Sequence, residues 1–125
     1  MIRNTPAAIL FAATVTATAL TQATYVRAAS KYDGNWSLVV VTKSGPCDAS
    51  YRFAGQIVNG AIVYGGIGVD LFGRVRPNGA AFLRVSSGPS YAVASGRLTA
   101  RGGKGVWRGQ SSNGRCSGTW TAMRV

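Results

Sequence analysis

Histidine and glutamate are absent from this 125-residue chain, and Asp33, Asp48 and Asp70 are its only side-chain carboxylates. That scarcity removes most general acid–base chemistry, which draws on histidine or on carboxylates of tuned acidity. The three aspartates fall in different segments, each near a turn or a strand edge, so a catalytic carboxylate pair is not expected. Serine and lysine do occur together around Lys31, Lys43 and Lys104, but no motif joins them into a nucleophile and its base. The chain therefore does not read as an enzyme. Two cysteines, Cys47 and Cys116, are too few ligands for a metal site when histidine is missing, and no cofactor is expected.

Helix-length runs free of glycine are also missing. All 17 glycines lie at or after Gly34, and the longest glycine-free run beyond it, residues 35–44, has ten residues. Glycine is among the worst helix formers and short helices are marginal, so strands and turns remain. No apolar run is long enough, with its flanks, to read as a spanning helix. The uncharged Ala/Thr/Leu stretch from Ala7 to Leu20 follows the basic start Met1-Ile2-Arg3. Val26-Arg27-Ala28 and Ala29-Ser30 then offer small residues to a peptidase. Residues 1–29 thus read as a secretory signal, with an uncleaved anchor as the other option. Cleavage between Ala28 and Ser30 leaves 95 to 97 residues, enough for a single small domain over 30–125. The expected address is secreted or periplasmic. There the default for Cys47 and Cys116 is one disulfide, enclosing 68 residues. Chain-entropy reasoning assigns such a loop about 4 kcal/mol.

What the chain has in quantity is turn chemistry and arginine. Asn59-Gly60, Asn78-Gly79 and Asn113-Gly114 are three strong hairpin signals. If each is a two-residue turn, Ile57 faces Ile62 and Gly55 faces Tyr64. By the same logic Val75 faces Phe82 and Trp107 faces Trp120. With the breaks at Gly45-Pro46, residues 65–68, Gly88-Pro89 and Gly102-Gly103, the strands fall near 35–43, 50–58, 61–65, 69–76, 80–86, 91–100, 105–110 and 115–124. Eight short strands joined by hairpins predict an all-β fold, a small antiparallel up-and-down barrel or a flattened version close to a sandwich. Closure of the first strand on the eighth places Cys47 beside Cys116 at the seam. It also gathers the three tryptophans, each in a Gly-x-Trp setting: Gly34-Asn35-Trp36, Gly105-Val106-Trp107 and Gly118-Thr119-Trp120. Residues two apart share a strand face, so each indole stands beside a missing side chain.

The formal charge is +11, or +9 without Arg3 and Arg27. Such a surface attracts anions, and arginine grips phosphate, carboxylate or sulfate in a planar fork. Arg74 and Arg76 share a strand face with Phe72, while Arg84 lies on the next strand. These four residues form the candidate binding patch for an anionic lipid, an acidic polysaccharide or another acidic ligand. The plainer alternative is a solvated face that keeps a small domain soluble. Export argues against nucleic acid. A two-residue turn at Asn78-Gly79 sets Arg84 opposite Gly73, on the side of Val75 and Phe82. It then reaches from the barrel mouth, its favoured position, or lines a cavity; a longer turn would place it otherwise. A membrane-spanning barrel is disfavoured because Arg74 and Arg76 flank Val75 and the chain ends without an aromatic residue.

Asp33-Gly34-Asn35-Trp36-Ser37, the Asn-Gly punctuation and Gly114-Arg115-Cys116-Ser117-Gly118-Thr119-Trp120-Thr121-Ala122 together resemble a group of small exported single-disulfide bacterial proteins of unassigned function. Some of these carry loose labels of haem utilisation or adhesion. Haem here would need Tyr51, Tyr64, Tyr91 or a methionine as its axial ligand. The Gly-x-Trp on the first strand is also similar to lipocalin-type carriers, avidin-like barrels and bacterial metalloprotease inhibitors of that architecture. The expected function is non-catalytic binding by a monomer through its arginine-rich face. The alternatives are a lipocalin-like carrier, with Trp36, Trp107, Trp120, Phe53, Tyr64 and Phe82 around a small apolar ligand, or a secreted protease inhibitor. The simplest role for that aromatic set is core packing, because so short a chain barely fills a barrel.

Overall fold

Alternating side chains, β-branched and aromatic enrichment and frequent glycine turns leave the backbone one economical arrangement, a meander of antiparallel hairpins. The computed structural model describes residues 12–14, 16 and 30–125. Most of the proposed signal segment, residues 1–29, lies outside the described residues. The strands are β1 (Gly34–Ser44), β2 (Ser50–Val58), β3 (Ala61–Val63), β4 (Asp70–Val75), β5 (Ala80–Ser87), β6 (Ser90–Leu98), β7 (Gly102–Ser111) and β8 (Gly114–Arg124). They form a closed antiparallel barrel in chain order, with β1 returning to pair with β8. Among the described residues no helix is long and apolar enough to cross a membrane, a statement that does not bear on barrels.

Closure places Cys47, just past β1, against Cys116 near the start of β8. The two form a disulfide with Cα atoms 6.0 Å apart. Trp36 and Trp120 are buried close to that seam, and Trp107 packs against the same cluster.

The three Asn-Gly hairpins turn out differently, and the differences decide which side chains face inward. Asn59 and Gly60 both have positive φ, 51° and 77°, as a two-residue primed turn requires. Ile57 accordingly pairs with Ile62. Tyr64 falls beyond the end of β3, so its expected pairing with Gly55 does not form. In the second hairpin the loop has one residue more than expected. The Arg76 amide donates to the Ala80 carbonyl at 2.9 Å, leaving Pro77, Asn78 and Gly79 as the loop. Proline explains this: a two-residue loop would require an N–H from residue 77, which Pro77 lacks, so Arg76 closes the hairpin instead. Only Gly79 takes positive φ, at 90°. Val75 therefore pairs with Ala81, Arg74 with Phe82, and Phe72 with Arg84, correcting the Val75–Phe82 and Gly73–Arg84 pairings. A one-residue slip exchanges faces, so Phe82 and Arg84 share the outer face with Phe72 and Arg74.

The third hairpin turns through Ser112-Asn113, with Ser111 paired to Gly114. The register moves by two residues, which preserves faces but separates the indoles. Trp107 lies opposite Gly118 and Trp120 opposite Gly105, in place of the expected Trp107–Trp120 pair. Sterics account for the outcome. A Cβ on Gly118 would sit 2.9 Å from the Trp107 Nε1, and one on Gly105 would sit 2.6 Å from the Trp120 ring. Each ring occupies the space its cross-strand glycine leaves empty.

Candidate functional site

With the register known, the inner wall can be read position by position. Trp36, Leu38 and Val40 of β1 pair with Gly55, Phe53 and Tyr51 of β2. Leu71, Gly73 and Val75 of β4 pair with Val85, Leu83 and Ala81 of β5. Ala92, Ala94, Gly96 and Leu98 of β6 pair with Gly109, Trp107, Gly105 and Gly103 of β7. None of these inward positions carries a charge. On β6 and β7 the small residues Ala92, Ala94 and Gly109 border open space, whereas Trp120 fills the space over Gly96 and Gly105 and Leu98 fills that over Gly103. The result is an apolar cavity of about 520 Å³, lined by residues such as Leu38, Phe53, Leu71, Leu83 and Trp107 over a floor that includes Trp120. That size falls within the range of small-molecule sites. Core packing alone, the simpler expectation for the aromatic set, therefore does not describe the interior.

One end of the barrel is closed. Tyr32, only 2% exposed, folds under the floor with Trp36, Ile57, Val75, Ala81, Leu98, Trp120 and Ala122. Its hydroxyl donates to the Pro77 carbonyl at 3.2 Å, and the Trp36 indole N–H donates to the Tyr32 carbonyl at 2.8 Å. Arg124, the last residue of β8, lies with its guanidinium 4.9 Å from the centre of the Trp36 ring. It donates to the carbonyls of Ala100 at 2.7 Å, Asp33 at 2.6 Å and Lys31 at 2.7 Å. One planar cation thus ties the residues before β1, the β6–β7 connection and the end of β8 together beneath the floor. The Asp33 carboxylate accepts from the Ser30 hydroxyl at 2.5 Å and from the amides of Asn59 at 2.7 Å and Gly60 at 3.0 Å. The Ser30 hydrogen bond is the main reason its carboxyl sits below the ordinary aspartate value, aided by the two amides of the turn and opposed by desolvation. This aspartate is structural. Arg124 escaped the sequence reading because its partners are backbone carbonyls, which leave no mark on residue identity.

The other end is open, and the wall beside it is incomplete. β3 has three residues and meets β4 at a single pair, Ala61 with Arg74. Residues 50–55 of β2 and 70–73 of β4 consequently have no partner on β3. The connection over residues 64–69 borders the cavity through Tyr64 and Val69, with Ile67 between them fully exposed. Along the β2 side of the gap, Tyr51 stacks on Phe53 with ring centres 6.2 Å apart, and Tyr64 meets Phe53 edge-on at 6.1 Å. The cavity thus has an end mouth with an aromatic-edged side opening.

The candidate patch residues do come together, but on the outside. Phe72, Arg74, Phe82 and Arg84 occupy one exposed sheet face, with the Arg84 guanidinium 5.9 Å from the Phe82 ring centre. Arg84 stands in mid-strand on the outer wall, neither at the mouth nor in the cavity. Arg76 is exposed at the closing pair of the β4–β5 hairpin, just past the end of β4. All six aromatic residues proposed for a carrier border the cavity, but Phe82 does so from an outward strand position opposite Arg74 and is 41% exposed. Among the described residues no cluster of three histidine, cysteine or acidic side chains is placed to hold a metal ion. Neither a protein-family model, nor a curated protein, nor a solved structure matches this chain.

Proposed function

We propose that the protein is a non-catalytic, monomeric carrier that holds a small, uncharged apolar molecule inside the barrel. The observation that carries this reading is the uncharged inner wall around a cavity of about 520 Å³, closed below by Tyr32 and Arg124 and open above. Transfer of apolar surface from water into such a wall is favourable by about 25 cal/mol per Å². The barrel interior presents no charge for an ionic ligand to pair with, and burying an unpaired charge there would be costly. The likeness of Gly34-Asn35-Trp36 to lipocalin-type barrels points the same way, since Trp36 roots the closed end. The Cys47–Cys116 disulfide is compatible with the secreted or periplasmic address. Outward charges at Arg52, Arg74, Arg84, Arg97, Lys104 and Arg108 favour a barrel standing in water over one spanning a bilayer.

A neutral fluorescent probe such as N-phenyl-1-naphthylamine tests the reading. Saturable binding with energy transfer from the tryptophans is expected. Ala94→Leu, which adds volume beside Trp107, should weaken it by at least about tenfold, whereas Arg74→Ser should leave it unchanged. Absence of saturable binding, or indifference to the larger side chain at position 94, would overturn the carrier assignment.

A further inference from the structure

The outer wall is two-sided in its chemistry. On β1 and β8 the central outward positions are Ser37, Val39, Val41, Ser117, Thr119 and Thr121, all uncharged. On β4 to β7 the outward positions instead mix cations with apolar side chains, and one row alternates them across all four strands. Phe72 pairs with Arg84, Arg84 with Val93, and Val93 with Arg108. One row nearer the closed end, Arg74 pairs with Phe82, and Val106 stands two strands further on. In the row below, Arg97 lies directly opposite Lys104. Like charges on facing strand positions destabilise a sheet. The acid on this face is Asp70, at the mouth edge of β4, opposite Ser86 and away from that pair. Phe72 is 59% exposed and Val106 58% exposed, so the apolar members of the pattern are in water.

We propose that this β4–β7 face docks the protein onto an anionic phospholipid bilayer. A second copy of the chain bound through the same face is ruled out as the occupant by charge, because the same cations would face one another. A partner rich in phosphate answers Arg74, Arg84, Arg97, Lys104 and Arg108 together, and guanidinium is well suited to phosphate oxygens. The interleaved Phe72, Phe82 and Val106 select a bilayer over a dissolved polyanion. A headgroup layer offers them an apolar boundary to enter while the arginine stems reach back to the phosphates. The side opening of the barrel adjoins β4, so docking sets the entry to the cavity near the lipid. The docking reading stands on the outer wall alone and does not require the cavity to be filled.

Vesicle co-sedimentation of the disulfide-bonded protein provides the test. Binding to vesicles of phosphatidylcholine containing about a third phosphatidylglycerol is expected, falling with added salt, and none to phosphatidylcholine alone. The triple variant Arg74→Ser, Arg84→Ser, Arg108→Ser should bind the anionic vesicles about 100-fold more weakly. The pair Phe72→Ser, Val106→Ser should lose about tenfold on vesicles while keeping its retention on dextran sulfate. All five sites are exposed, so melting temperature and naphthylamine binding should not move. Anionic-vesicle binding unchanged in the triple variant, or absent in the parent protein, overturns the proposal. Vesicle binding insensitive to Phe72→Ser, Val106→Ser overturns the bilayer in favour of a dissolved acidic polymer.

Discussion

Single residues in this protein act chiefly by being small or by lacking a donor. Gly105 is inward on β7, where a Cβ would overlap the Ser95 carbonyl and approach the Trp120 ring to 2.6 Å. Gly65, in the connection beside the side opening, has nothing within 4 Å of the same position. Gly105→Ala should therefore cost about 1–3 kcal/mol or more, while Gly65→Ala should stay within about 0.5 kcal/mol of the parent. Urea denaturation of the two variants measures the contrast. Equal midpoints would mean that Trp120 does not depend on the glycine opposite it. Pro77 acts through its missing N–H, and that one absence turns Phe82 and Arg84 to the outside. Arg124 shows the opposite case, a long side chain whose five donors let it serve three carbonyls in two separate segments.

At the level of elements, the weak part of the barrel is β3. The Asn59-Gly60 turn starts it in the expected register, yet pairing stops at Val63. The sequence predicts strand character through Gly65. Gly65, Gly66 and Gly68 follow, and glycine in a strand offers entropy loss without packing gain. The backbone groups of residues 50–55 that point away from β1 thus face the gap. Their amides should exchange with deuterium much faster than amides of the same residues directed into the β1–β2 ladder. A docked apolar ligand that draws residues 64–69 across the opening would slow that exchange. Uniform protection along β2 would instead show that the wall is sealed in solution. The β7–β8 hairpin makes a different point about elements. Its register sets each indole over a facing glycine, Trp107 over Gly118 and Trp120 over Gly105, two residues from the pairing a turn centred on Asn113-Gly114 would give.

For the whole molecule, the controlling feature is closure. The β1–β8 seam is where the chain's first and last strands meet, so its loss opens the cavity and the floor at once. The disulfide lies at the open end of that seam and Arg124 at the closed end. A domain of this size has only about 5–15 kcal/mol of net stability. Replacing Cys47 and Cys116 together by alanine should remove about 4 kcal/mol, read as a lower urea midpoint and a lower melting temperature. An unchanged midpoint would mean that strand pairing and Arg124 hold the seam unaided. The outer wall follows from closure as well. Only a closed barrel turns the basic face of β4–β7 and the uncharged central face of β8 and β1 to opposite sides.

The amino-acid sequence by itself determined the class of fold, eight antiparallel strands, the closing partners and the cysteine bridge. Each of these depends on local chemistry: glycine spacing excludes helix, Asn-Gly marks hairpins, and two cysteines in an oxidising setting have one way to pair. Only the tertiary structure decided which faces turn inward in the β4–β5 hairpin, where β3 ends, and that the interior is hollow. Those outcomes rest on competition between neighbours. A missing proline N–H shifts a register, an indole claims the space over a facing glycine, and a short β3 with small inward residues such as Ala92, Ala94 and Gly109 leaves a cavity. No single segment carries that information, because the space exists only once distant strands stand around it.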